Sequence, residues 1–197
     1  MKIIFTLLLS FVLPFGTVLA NNSKKQKRKE NKKIQASSGD LGLTAMYWLS
    51  GSIYIHELDT DIEKESNAML KLFYDKRSRA GGVDLGFYLL YAPSVTIKEY
   101  DGGGDLVEFG LSFKTDFDLQ DGMLARPGLN LGYRTLNSSQ IETIRGLGVN
   151  LSVQVMKPKV SSTPFFEVGF LSQPSGGNTD SDVTFAPILY IGGGIIR

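Results

Sequence analysis

Between residues 147 and 155 the chain reads Leu-Gly-Val-Asn-Leu-Ser-Val-Gln-Val, aliphatic at every odd position and glycine or polar at every even one. Side chains on a β-strand alternate between faces, so this segment is a strand with one greasy and one polar face. Seven further segments repeat the pattern. Residues 43–56 place Leu43, Ala45, Tyr47, Leu49, Gly51, Ile53 and Ile55 on one face and Thr44, Met46, Trp48, Ser50, Ser52, Tyr54 and His56 on the other. Residues 68–76 oppose Ala68, Leu70, Leu72 and Tyr74 to Met69, Lys71, Phe73 and Asp75, and a third segment opposes Val83, Leu85, Phe87, Leu89 and Tyr91 to Asp84, Gly86 and Tyr88. The fourth sets Val107, Phe109, Leu111 and Phe113 against Glu108, Gly110, Ser112 and Lys114. The fifth sets Ala125, Pro127, Leu129, Leu131 and Tyr133 against Arg126, Gly128, Asn130, Gly132 and Arg134. With 147–155 as the sixth, the seventh opposes Phe166, Val168 and Phe170 to Phe165, Glu167 and Gly169. The eighth, 183–197, presents Phe185, Pro187, Leu189, Ile191 and Ile195 on its apolar face.

The start of the chain says what the greasy faces touch. Residues 1–20 combine Lys2, an apolar run from Ile3 to Leu13 and a Val-Leu-Ala ending, the pattern of a secretory signal peptide. Lys2 contributes +1 and residues 24–33 a net +6, which leaves about −6 for residues 34–197 although the whole chain sums to +1. The basic stretch has no apolar periodicity, so residues 21–40 are expected to be a disordered periplasmic segment. There is no cysteine, which excludes a disulfide-stapled secreted scaffold. The remaining residues, 41–197, make one domain with no linker dividing it.

Connections between the eight segments alternate in length. Residues 57–67, 92–104, 135–145 and 173–182 are longer and polar, whereas 77–82, 116–122 and 157–162 are short. Long loops on one rim, short turns on the other and an even strand number predict an all-β fold, an eight-stranded antiparallel up-and-down transmembrane β-barrel with both termini periplasmic. Its greasy faces then meet lipid. Outward aromatics predict two interfacial girdles, Tyr47, Tyr74, Phe113 and Phe166 below, and Tyr91, Tyr133, Phe170 and Phe185 above.

Eight strands enclose a space that side chains can fill. Into it point Lys71, Lys114, Arg126 and Arg134 and also Asp75, Asp84, Glu108 and Glu167, four cations against four anions. Unpaired, such charges are prohibitively costly away from water; paired and bonded to Asn130, Asn150, Gln154 and Ser112 they form a structural lattice that closes the lumen. A narrow pore gated by breaking one pair is the functional alternative. Inward glycines at 86, 110, 128, 132, 146, 148 and 169 leave room for Trp48, Tyr54 and Tyr88.

Catalytic and metal-binding patterns are sparse. The one histidine, His56, stands beside Glu57, Asp59, Asp61 and Glu63, too few nitrogen or sulfur ligands for zinc and without EF-hand spacing for calcium. Ser52 lies roughly 13 Å from it along an extended strand, leaving only a cross-strand serine for a hydrolase. Gly192-Gly193-Gly194 lacks the Lys-Ser/Thr and helix of a phosphate loop. No cofactor is expected.

The signal peptide, the eight alternating segments and a stretch such as Arg126-Pro127-Gly128-Leu129-Asn130-Leu131-Gly132-Tyr133 make residues 40–197 resemble the small eight-stranded outer-membrane barrels of Gram-negative bacteria, the OmpA/OmpX and opacity-protein type. The resemblance implies insertion by the outer-membrane assembly machinery, contact with outer-membrane lipids and lipopolysaccharide, and outer loops that adhere, shield or bind an extracellular ligand. It implies no nucleic-acid partner. Such barrels usually end on an aromatic that belongs to the assembly signal. This chain ends Gly194-Ile195-Ile196-Arg197, so either its signal is atypical or the sequence is one residue short. Barrel lipid A deacylases look similar overall, but their histidine-x-serine element is missing, since Glu57 and Leu58 follow His56. The expected function is a non-enzymatic structural or surface-interaction role in the outer membrane. The alternatives are the gated pore, a lipid-modifying hydrolase using His56, and a soluble lipocalin-like binder.

Overall fold

The computed structural model describes residues 39–197 apart from 50, 57–58, 79–81, 98–99, 139–141, 160 and 180–181. The expected signal peptide and basic segment up to residue 38 lie outside the described residues. The strand segments are β1 (Asp40–Trp48), β2 (Gly51–Ile55), β3 (Thr60–Lys64), β4 (Asn67–Lys76), β5 (Asp84–Ile97), β6 (Tyr100–Lys114), β7 (Phe117–Asp118), β8 (Leu124–Ser138), β9 (Ile144–Met156), β10 (Thr163–Gly177) and β11 (Val183–Ile196). Three pairs of segments are single staves with a local break. β1 and β2 keep one register against β11, β3 and β4 keep one against that first stave, and β6 and β7 keep one against β8. Eight staves result. Each is antiparallel to the next, and β11 pairs back onto β1, closing the ring.

Rows of cross-strand partners descend as they go round. Trp48, the last residue of β1, leads through Tyr190, Gly169, Ser152, Gly128 and Lys114 to Asp84, the first residue of β5. A row that starts midway up one stave therefore finishes at the lower rim of another, the stagger that tilted strands need in order to close. Along β1 and β4 burial alternates residue by residue, with Leu41, Leu43, Leu70 and Leu72 exposed and Thr44, Met46, Met69 and Lys71 buried. The same alternation in the remaining staves gives an apolar outer belt that includes Phe87, Phe109, Leu151, Phe166 and Ile195.

The alternation expected over 43–56 does not hold throughout. It breaks after Trp48: Ile53 is 2 % exposed and His56 is exposed. On the facing stave Ala186 and Pro187 are both exposed, and Phe185, the partner of Ile53, is also 2 % exposed. The register of this stave against β11 is unchanged, but β11 slips by one residue against β10, where Leu171 pairs with Ile188 and Gln173 with Phe185. This stave and β11 roll and change face together at this bulge beside Pro187, which cannot donate to the ladder. Gly51 makes the roll possible, since a Cβ there would lie 2.5 Å from Ile188 Cγ1. Phe185 thus belongs to the interior instead of the upper girdle. Tyr47 also moves: it is the penultimate residue of β1, with its hydroxyl 2.7 Å from Ser66 Oγ, and joins Tyr91, Tyr133 and Phe170 at the upper rim. Tyr74, Phe113 and Phe166 remain below.

The four long connections are largely strand. β3 falls within 57–67, β5 and β6 run to Ile97 and from Tyr100, β8 reaches Ser138, and β10 reaches Gly177. Ile62, Ala92, Val95, Leu106, Leu136, Ile144 and Val183 are buried along these upper ends, giving the hairpins a core of their own. On the lower rim 116–122 holds β7 and a 3-10 turn at Gln120–Gly122.

The chain contains no cysteine, so single cysteines report the roll directly. Phe185→Cys is expected to resist both water-soluble and lipid-soluble maleimides in the refolded barrel, while Phe170→Cys reacts with the lipid-soluble reagent. Equal labelling of the two would return Phe185 to the outer face.

The charged barrel interior as candidate functional site

The staves deliver charged side chains to the lumen at successive heights because inward positions recur every second residue. Three carboxylates are fully buried among the staves, and each holds one cation together with neutral donors. Glu167 of β10 pairs with Lys71 of β4 and accepts from Gln154 Nε2 at 2.9 Å and the Tyr190 hydroxyl at 3.0 Å. Asp75 pairs with Lys114 Nζ at 2.7 Å and accepts from Ser112 Oγ at 3.0 Å, while the Phe73 ring lies under the same ammonium with its centroid 3.6 Å away. Glu108 accepts from Arg134 Nε at 2.6 Å, from Asn150 Nδ2 at 2.7 Å and from the Tyr88 hydroxyl. Three cations therefore balance three anions.

Arg126 stands apart at the lower mouth. Its guanidinium forks onto Asp116, Nε to Oδ1 at 2.6 Å and Nη2 to Oδ2 at 3.2 Å, and Nη1 donates to Asp40 Oδ2 at 3.2 Å. Asp84 Oδ2 lies 3.7 Å from Nη2, and Arg77 Nε adds a second donor to Asp40 at 2.9 Å. A planar fork suits two carboxylates at once, which a lysine could not match.

All eight sequence-predicted charges are buried inside the barrel, distributed as two lysine pairs, the Arg134–Glu108 pair and the mouth cluster containing Arg126 and Asp84. Asp40 and Asp116 complete the mouth and were not anticipated. Asp40 continues the even, inward parity of Gly42 and Thr44 by one more step, so the signal was present; Asp116 lies past the end of its alternating run. Asn150, Gln154 and Ser112 bond within the lattice as expected, but the Asn130 amide finds no partner among the described residues.

Two glycines set the room available. A Cβ at Gly132 would collide with the Tyr88 hydroxyl, and one at Gly148 with the Glu108 carboxylate, so both are required where the Arg134–Glu108 layer fills the lumen.

Above this layer the interior becomes apolar. Arg134 lies with its guanidinium carbon 5.6 Å from the centroid of Phe185, and beyond it Trp48, Leu106, Leu136, Leu171 and Ile188 are buried with at most 1 % exposure. Outside the belt, the Tyr54 hydroxyl donates to Asp59, a bond that raises the phenol above its ordinary pKa, and the His56 ring packs edge-on against Tyr54 with centroids 4.8 Å apart. No group of three or more potential metal ligands occurs among the described residues.

The chain matches no protein-family model and no curated protein. Solved structures do match. Neisserial surface protein A aligns over 81 % of this chain and 96 % of its own at 12 % identity with a TM-score of 0.57. Ail of Yersinia pestis, in complex with the heparin analogue sucrose octasulfate, aligns over 82 % of this chain and 100 % of its own at 11 % identity and TM-score 0.47. The N-terminal β-barrel domain of Pseudomonas aeruginosa OprF aligns over 80 % and 97 % at 12 % identity and TM-score 0.42. The closed ring, the lipid-facing belt and the match to Neisserial surface protein A together give this chain the fold of the small eight-stranded outer-membrane β-barrels.

Proposed function

We propose that the protein is a non-enzymatic outer-membrane scaffold whose lumen is closed and whose upper hairpins present a rigid sheet for surface interaction. The observation that carries this reading is the succession of buried, paired and apolar groups along the interior. The mouth cluster around Arg126, the two lysine pairs, the Arg134–Glu108 layer and the apolar layer of Trp48, Leu106, Leu136 and Leu171 follow one another. A gated pore would need water to pass both the ion-paired layers and the apolar one. Outer-membrane lipid, lipopolysaccharide and the assembly machinery are the partners of the belt; an extracellular ligand would meet the upper hairpins.

The refolded chain is expected to migrate faster on detergent gels before boiling than after, and to give no steady conductance in a planar bilayer. A monomer that stays soluble without detergent would sink the membrane reading, whereas a stable open level in the unaltered protein would replace the closed scaffold by a pore.

Breaking one pair leaves a buried charge alone, which costs about 3–5 kcal/mol, more than the pair itself contributes. Arg134→Met is therefore expected to lower the urea midpoint strongly, and the double change Arg134→Met with Glu108→Gln to recover most of the loss. Equal destabilisation by the single and double variants would show that the charges do not depend on each other.

A further inference from the structure

The lower rim is not uniform. Two of its turns reach charge at once: Lys76 and Arg77 follow the girdle residue Tyr74, and Lys157 and Lys159 follow Val155, all four cations exposed. The β6–β8 connection instead continues the hairpin downward in unbroken register. Lys114 pairs with Gly128, Thr115 N donates to Pro127 O at 3.2 Å, Phe117 pairs with Ala125 and Asp118 with Leu124, and Leu119 N donates to Met123 O at 2.9 Å. The tip is a tight turn around Asp121 and Gly122, both at positive φ (59° and 74°), closed by Met123 N donating to Gln120 O at 3.2 Å. An Asp-Gly pair suits this backbone.

β8 is continuous from Leu124 to Ser138 with Arg126 buried in the lumen, so Ala125 faces outward and its cross-strand partner Phe117 faces outward with it. Phe117 and Leu119 continue the outward row of Phe109, Leu111 and Phe113, and Met123 continues that of Ala125, Pro127 and Leu129. Cross-strand partners share a face, so Phe117, Leu119 and Met123 form one apolar patch on the lipid-facing side. They are 39 %, 41 % and 37 % exposed. The row from the lower-girdle residue Phe166 through Val155 and Ala125 ends on Phe117, descending in the same direction as the row from Trp48 to Asp84. The patch therefore lies below the girdle. The acidic residues of the hairpin do not share its face: Asp116 is held by Arg126 in the lumen mouth, Asp118 has the opposite parity, and Asp121 is at the tip.

We infer that this hairpin is a lipid-docking keel: Phe117, Leu119 and Met123 extend the lipid-facing belt into the head-group and acyl boundary of the periplasmic leaflet on one side of the barrel. The occupant is phospholipid because the patch is continuous, in register and in face, with the belt above it. An apolar surface deeper on one side is best covered when the barrel leans toward that side, so the keel also sets the seat of the protein in the bilayer. The inference rests on the membrane reading above.

The test uses the chain refolded into phosphatidylcholine vesicles with brominated acyl chains. Its single tryptophan, Trp48, is fully buried inside the barrel and gives a constant background. Leu119→Trp and Met123→Trp are compared with Leu111→Trp in the belt and with Glu63→Trp on the exposed face of β3. The keel residues are expected to be quenched, most strongly by bromines near the head group, and to emit to the blue of Glu63→Trp. If Leu111→Trp is quenched while Leu119→Trp and Met123→Trp emit as Glu63→Trp does, the hairpin stands in water and the inference falls alone. If Leu111→Trp is also unquenched, the membrane reading falls with it. Replacing Phe117, Leu119 and Met123 together by serine is expected to reduce the strand tilt measured by polarised infrared in oriented bilayers; unchanged tilt would overturn the seating role.

Discussion

Leu41 donates its backbone N–H to Arg197 O at 2.9 Å, and Arg197 returns the bond to Leu41 O at 2.8 Å. These two contacts sit at the lower end of the seam where the last stave meets the first. Hydrocarbon offers no partner for a free N–H or C=O, so a sheet can cross a bilayer only if it has no edge. Once the seam is joined, every residue is assigned to an inside or an outside, and the inside is narrow. Much of what distinguishes the protein is a response to that narrowness. Charges that enter must meet opposite charges, and glycines must face the bulk of Tyr88 and Glu108.

The interior is not one environment. Within the belt the barrel is inverted relative to a soluble protein, with apolar side chains outside against lipid and the ion pairs inside. Above the belt the outer face meets water, so the staves need an ordinary apolar core. Asp61 and Glu63 of β3 are exposed while Ile62 between them is buried. The roll at Ile53 and Phe185 is where one stave pair changes from the first arrangement to the second. β5 makes the same change at a second register shift, between Ala92 and Val95 against β6, with a positive φ at Ser94, as β11 does against β10 between Leu171 and Gln173. Burial of Ile53, Ile62, Val95, Leu106, Leu136 and Phe185 is what holds the upper hairpins as sheet.

The parity of the staves within the belt was legible because lipid imposes a binary choice at every position. From Leu147 to Val155 each residue obeys it. The change of environment was not legible at 43–56, because Ile53 and Ile55 suit lipid and a protein core equally, and Tyr54 suits either side. Pairing inside the lumen was only half readable. Glu108 and Arg134 are direct register partners and do pair, but Asp84 is the register partner of Lys114, whose ammonium reaches across to Asp75 instead. A long side chain chooses among several carboxylates by three-dimensional distance, which alternation does not encode. The lower hairpin was readable in principle. Phe117 and Leu119 continue the odd parity of Phe113, and Asp121-Gly122 is a turn signal, yet a short polar-looking segment between strands invites the label of a turn.

The position of Trp48 separates two events in the formation of this protein. Its indole is enclosed in the upper apolar layer and donates to Glu65 O at 3.2 Å, out of contact with lipid. Entry of the staves into a bilayer leaves that environment unformed until the opposing upper ends meet. The natural fluorescence of the chain thus reports the enclosure of Trp48 in the upper apolar layer and not the contact of the belt with lipid.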